Sequence, residues 1–136
     1  MLAYMKKSSY LCSVIKKEIV KQLKHTTMKT TKITKDQAIT IIKNILIEGC
    51  AIPQASLGNG GAGFGYVQPD AGENDYDELV SWLKGMKSFR IVPTSEISDE
   101  FSDMNLDEYD VCVEFTNNDG DYSEQYLLWD IDYYKD

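Results

Sequence analysis

Residues 109–135 read YDVCVEFTNNDGDYSEQYLLWDIDYYK, and how this stretch folds decides the architecture of the chain. Two runs rich in Val, Phe, Tyr, Leu and Trp flank TNNDGD, whose Asn, Asp and Gly tolerate the backbone of a tight turn, so the segment predicts a β-hairpin. A two-residue Asp119-Gly120 turn would pair Val113 with Tyr126 and Asp110 with Trp129. Val111, Val113 and Phe115 would then face away from Leu127, Trp129 and Ile131. A three-residue loop, Asn118-Asp119-Gly120 with Gly120 left-handed in a bulge, restores one shared apolar face and is the expected geometry. The other face then carries Asp110, Glu114, Asp130 and Asp132, with Tyr126 and Tyr134 beside them, and Tyr133 turns into the core.

Upstream of the hairpin, residues 94–106 are acidic and irregular, with room for one helical turn, and FRIVPT before them reads as a strand ended by Pro93. A helix is expected from Asp75 to about Met86, capped by Asn74, with Leu79, Val80, Leu83 and Met86 inward and Trp82 at the edge of that stripe. Another begins after Ile33-Thr34, where Thr34 and Gln37 form a capping box and Ile33 staples onto Ala38; it runs to about Glu48, buries Ala38, Ile41, Ile42, Ile45 and Leu46, and stops at Gly49. Residues 13–24, SVIKKEIVKQLK, form a basic amphipathic pattern. The fold class is therefore α+β: a small antiparallel sheet with a C-terminal β-hairpin packed against two helices, plus a basic N-terminal helix. Residues 1–30 are the basic helix and its linker, and 31–136 one acidic domain. A chain of 136 residues with 43% hydrophobic residues suffices for one core, and no apolar run is long enough for a membrane span.

Charge is the least ordinary property. The formal net charge of -8 hides a division, because residues 1–35 hold nine lysines and one acid while the rest hold five bases and 21 acids. A domain with this field selects cationic partners and repels nucleic acid itself.

LGNGGAGFGYV contains G-x-G-x-x-G at Gly58, Gly60 and Gly63. A dinucleotide loop needs a helix N-terminus immediately after it, whereas FGYVQP reads as strand or loop, and no Gly-Lys-Ser/Thr follows. A hairpin-like connection is the simpler expectation. Asp103, Asn105, Asp107 and Glu114 occupy positions 1, 3, 5 and 12 of an EF-hand pattern, but Glu108 stands where the sharp turn needs glycine, and VCVEF has strand periodicity. Cys12, Cys50 and Cys112 are widely spaced and His25 is the only histidine, so neither a zinc site nor a disulfide framework is expected. His25 has no recognisable Ser or Cys partner, and no acid, base and nucleophile constellation stands out.

The expected function is thus a non-enzymatic, cytoplasmic acidic protein without cofactor or metal that binds and inhibits a basic protein, such as a nuclease or nucleic-acid-binding enzyme. An anti-defence inhibitor mimicking DNA (anti-CRISPR or anti-restriction) and a toxin-neutralising immunity protein both fit. The candidate contacts are Glu96, Asp99, Glu100, Asp103, Asp107, Glu108, Asp110, Glu114, Tyr126, Asp130, Asp132 and Tyr134. The alternative is a small ligand- or cation-binding regulatory domain that uses the Gly-rich 58–65 loop or the acidic 103–114 loop.

Overall fold

A computed structural model describes residues 32–58, 61–69 and 76–135. The basic segment 13–24, Asn74 and Asp75 lie outside the described residues.

Helix α1 spans Lys35–Ile47 and starts as its sequence demands. The Gln37 N–H donates to Thr34 Oγ1 at 3.1 Å, and the Thr34 N–H donates to Gln37 Oε1 at 2.9 Å. Ala38, Ile41, Ile42, Ile45 and Leu46 are buried, as the periodicity predicts, and Gly49 takes φ 92° just beyond the end. Strands β1 (Ile52–Gly58) and β2 (Gly61–Val67) follow as a hairpin, so the glycine-rich stretch is strand, and no helix N-terminus follows it directly. Helix α2 covers Asp77–Lys84, shorter than expected, and its N-cap is Tyr76 rather than Asn74. Its C-terminal end is held by Lys35, whose ammonium donates to the Lys84 carbonyl at 3.0 Å and the Met86 carbonyl at 2.6 Å, a cation placed where free carbonyls and the helix dipole favour it. Strand β3 (Ser88–Ile91) leads into three short 3-10 turns at Thr94–Glu96, Asp99–Phe101 and Leu106–Glu108. Strands β4 (Val111–Thr116) and β5 (Tyr122–Leu128) then form the C-terminal hairpin.

All five strands are antiparallel, in the order β2-β1-β5-β4-β3. The mixed α+β class read from the sequence is the observed one; the register of the hairpin is not. Val113 opposes Tyr126 and Phe115 opposes Glu124, the pairing rejected above because it divides the apolar residues between two faces. Gly120 is left-handed as expected, at φ 76°, but in place of the expected bulge the Asn117 side chain accepts from the Asp121 and Tyr122 amides at 3.2 and 3.3 Å. The split is tolerated because both faces of β4 and β5 are covered. Val111, Val113, Phe115, Tyr126 and Leu128 face the side on which α2 lies, while Cys112, Gln125 and Leu127 face the other, and all are buried.

The strand expected to continue through Tyr133 instead ends at Leu128. Asp130 adopts φ 52°, a left-handed conformation that turns the chain into a short helix, α3 (Ile131–Tyr134). Tyr133 is 65% exposed, against the expectation that it enters the core; Tyr134 is the buried one. Cys112 is free and buried, but Cys50 is disulfide-bonded, contrary to the expectation from cysteine spacing, and its partner lies outside the described residues. Spacing along a chain says nothing about which thiols the fold brings within reach.

Candidate functional site

The acids singled out in the sequence do not form one face. Glu114 and Glu96 converge on Arg90: the guanidinium donates from Nε to Glu114 Oε2 at 3.1 Å and from Nη1 to Glu96 Oε1 at 2.7 Å. These two hydrogen bonds, Glu114 foremost, raise the Arg90 pKa further. Gln125 joins this cluster, donating to Glu114 Oε1 at 2.8 Å and accepting from the Ser98 N–H at 2.8 Å. Glu96 and Glu114 are thus engaged in fastening the 94–98 segment across the sheet. Glu114 also sits on a strand, bonded to Arg90, and so does not close a calcium loop with Asp103, Asn105 and Asp107; Asn105 instead caps the last 3-10 turn by accepting from the Asp107 N–H at 3.2 Å. Among the described residues no group of three or more His, Cys, Asp or Glu side chains is arranged to hold a metal ion.

A second group lies at the chain end. Asp110 accepts from the Ile131 N–H at 3.2 Å, and Asp132 projects into solvent beside Lys135 at 3.3 Å. Tyr134 is buried and donates to Glu48 Oε1 at 3.0 Å, with Tyr133 donating to Glu48 Oε2 at 3.2 Å, so Glu48 ties α3 to the end of α1. Burial first, and then the bond to Glu48, pushes the Tyr134 phenol well above its usual range. Tyr126 is 2% exposed and belongs to the core. Tyr126 and Tyr134 therefore cannot present rings to a partner, and the single row of Asp110, Glu114, Asp130 and Asp132 expected on one hairpin face is not formed.

One acid is itself interior. Glu124, 7% exposed, accepts from Tyr126 Oη at 2.6 Å, Tyr122 Oη at 2.7 Å and Trp82 Nε1 at 3.2 Å. Three neutral donors solvate this carboxylate in place of water, and Trp82 thereby pins α2 to the sheet. Burial and then the Glu124 charge raise the Tyr126 pKa, so the phenol stays protonated and keeps donating.

The remaining acids belong to one segment. Between Thr94 and Asp110 the chain carries Glu96, Asp99, Glu100, Asp103, Asp107, Glu108 and Asp110 and no base. This segment crosses the sheet face opposite α2, held there by Phe101, which is 1% exposed and packs edge-on against Phe64 with ring centroids 5.8 Å apart. Asp99 and Glu100 precede Phe101, and Asp103 follows it, all exposed. Phe64 stacks edge-on with Tyr66 at 5.3 Å, and the Tyr66 hydroxyl reaches Met104 Sδ at 3.9 Å. Both rings remain open to solvent, Phe64 at 42% and Tyr66 at 48%. Tyr109 is buried, and its pKa is raised by burial first and then by the adjacent Glu108 charge.

No family model matches the chain, and no curated protein or solved structure is significantly similar to it.

The structure thus packs the segment that carries the exposed Asp99, Glu100 and Asp103 against a ring pair that sequence reasoning did not single out. The signal was present. In Gly61-Ala-Gly-Phe-Gly-Tyr-Val every second residue is glycine until Val67, so a strand must place Phe64 and Tyr66 together on the side opposite the glycines. Reading the glycines as a loop hid that alternation.

Proposed function

We propose that the chain is a non-enzymatic binding protein that captures and blocks a basic protein through the acidic 99–108 segment and the Phe64–Tyr66 pair. The observation that carries this reading is the joining of two partly exposed, mutually packed rings to a base-free acidic segment. Aromatic side chains supply the contact area that dominates interface energy, and a rim of one charge sign sets partner choice and encounter rate. The cationic surface that fits is the kind that nucleases and nucleic-acid-binding enzymes carry for phosphate. The roles that follow are those of an anti-defence inhibitor or an immunity protein.

The test is retention of host proteins on the immobilised chain, eluted by a salt gradient, beside two variants: Asp99→Lys with Glu100→Lys and Asp103→Lys, and Phe64→Ala with Tyr66→Ala. A specific basic protein should be retained by the parent, released as salt rises, and lost from both variants while each stays folded by circular dichroism. Equal retention by the charge-reversed variant overturns the proposal.

A further inference from the structure

One margin of the sheet is β2, and its pairing with β1 settles which of its backbone groups point outward. Two residues separate Gly58 from Gly61, so these two form the hydrogen-bonded pair that closes the hairpin, and alternation makes Ser56 with Gly63, Gln54 with Gly65 and Ile52 with Val67 bonded pairs as well. Ala62, Phe64 and Tyr66 occupy the non-bonded pairs. Pro53 agrees with this assignment: having no N–H, it stands opposite Tyr66, where none is required. The N–H and C=O groups of Ala62, Phe64 and Tyr66 therefore face away from the sheet, and no backbone bond to them occurs among the described residues.

Edge strands are ordinarily defended by charged side chains, proline, bulges or brevity. Residues 61–67 contain no charge and no proline, and their register with β1 runs unbroken over seven pairs. Conformation does not account for the glycines either: Gly61 has φ 104°, but Gly63 and Gly65 do not lie in the left-handed region, and a Cβ built on either meets nothing within 4 Å. Glycine inside a strand weakens it and marks places where another backbone approaches. Here the glycines leave a bare shelf on one face of the edge, while Phe64 and Tyr66, beside the acidic segment, occupy the other.

We infer that β2 is a pairing edge: an extended, lysine- or arginine-bearing segment of the basic partner adds to it as a sixth strand. The inference rests on the function proposed above and specifies its mode. Main-chain bonds to Ala62, Phe64 and Tyr66 hold the segment; its alternate cationic side chains cross the ring pair toward Asp99, Glu100 and Asp103, and the intervening side chains fill the shelf over Gly63 and Gly65. Charge selects this occupant, since five acids and no base lie between Asp99 and Glu108.

The probe is a synthetic peptide with lysine at every second position and valine or tyrosine between, added to the full-length chain. Amide hydrogen exchange followed by NMR should show Ala62, Phe64 and Tyr66 gaining protection at saturation, while Gly63 and Gly65, already bonded to β1, change little. N-methylation of one alternate set of peptide amides should weaken binding by about tenfold or more, and of the other set scarcely at all, because only one set can face β2. Binding that is indifferent to both methylations, with no protection in β2, overturns the pairing mode and leaves the charge-based function standing. Absence of binding even at low salt, with protein capture also absent, overturns both. Protection of Phe64 and Tyr66 without peptide, lost on removing residues 1–31 or on dilution, would assign the edge to the chain's own basic segment or to a second copy and would equally refute the proposal.

Discussion

Replacing Glu124 tests whether the interior carboxylate is a fastener. Its two oxygens accept from Tyr126 at 2.6 Å, Tyr122 at 2.7 Å and Trp82 at 3.2 and 3.3 Å. Glu124→Ala strands these donors unequally. The Tyr126 hydroxyl, on a residue 2% exposed, loses its acceptor where water cannot substitute, a cost of about 1–3 kcal/mol. Tyr122 keeps Ser56 Oγ at 3.3 Å and partial solvent, and Trp82, 49% exposed, can turn its indole N–H to water, so together they add roughly 1 kcal/mol. The one lost methylene, Cγ, adds about 0.8 kcal/mol. The sum is a destabilisation on the order of 3–5 kcal/mol. Glu124→Gln preserves volume and one acceptor but loses the charge assistance, which leaves about 1–2 kcal/mol and a fall in Tm of roughly 5–10 °C. Urea unfolding followed by tryptophan fluorescence reads both, and in a Tyr126→Phe background the Glu124→Gln cost should shrink by about 1 kcal/mol. A Glu124→Gln protein as stable as the parent, or a Glu124→Ala cost below about 1 kcal/mol, would refute the assignment of this carboxylate as the anchor of α2.

Stability should be level from neutral pH to about 9 and fall above it. Burial, and then the Glu114 charge, raises the Cys112 thiol from 9.0 to about 12, and burial likewise raises Tyr126 and Tyr134. These groups ionise first in the unfolded chain, so each pH unit between the unfolded and folded values costs ~1.4 kcal/mol per group; urea midpoints that do not decline between about pH 9 and pH 11 would contradict this. Gly58→Ala should destabilise by about 1–3 kcal/mol, because its Cβ would lie 2.9 Å from Tyr122 Cδ1 and 3.0 Å from the Asp121 carbonyl oxygen, whereas Gly63→Ala should be neutral or stabilising by a few tenths, its Cβ meeting nothing. Thermal melts of the two variants separate these outcomes.

Local signals read well in this chain because they act within a few residues. The Thr34 and Gln37 capping box, the Ala38 to Leu46 stripe and the stop at Gly49 need no tertiary information, and each stands where the sequence places it. The C-terminal hairpin was legible as a hairpin for the same reason. Its register was not, since alternation specifies register only when one face is wet, and here residues 94–108 cover the second face. Charge counting likewise identified a domain dominated by acids but could not sort them. Glu96 and Glu114 neutralise Arg90, Glu124 goes inside among three donors, and Asp99, Glu100 and Asp103 stay at the surface. Composition and short-range pattern thus determined the α+β class, the first helix and the sign of the field. Which acids stay at the surface, and that Phe64 and Tyr66 lie on the edge strand against which their segment packs, was decided only when distant segments met, because burial and pairing depend on neighbours that are remote in sequence.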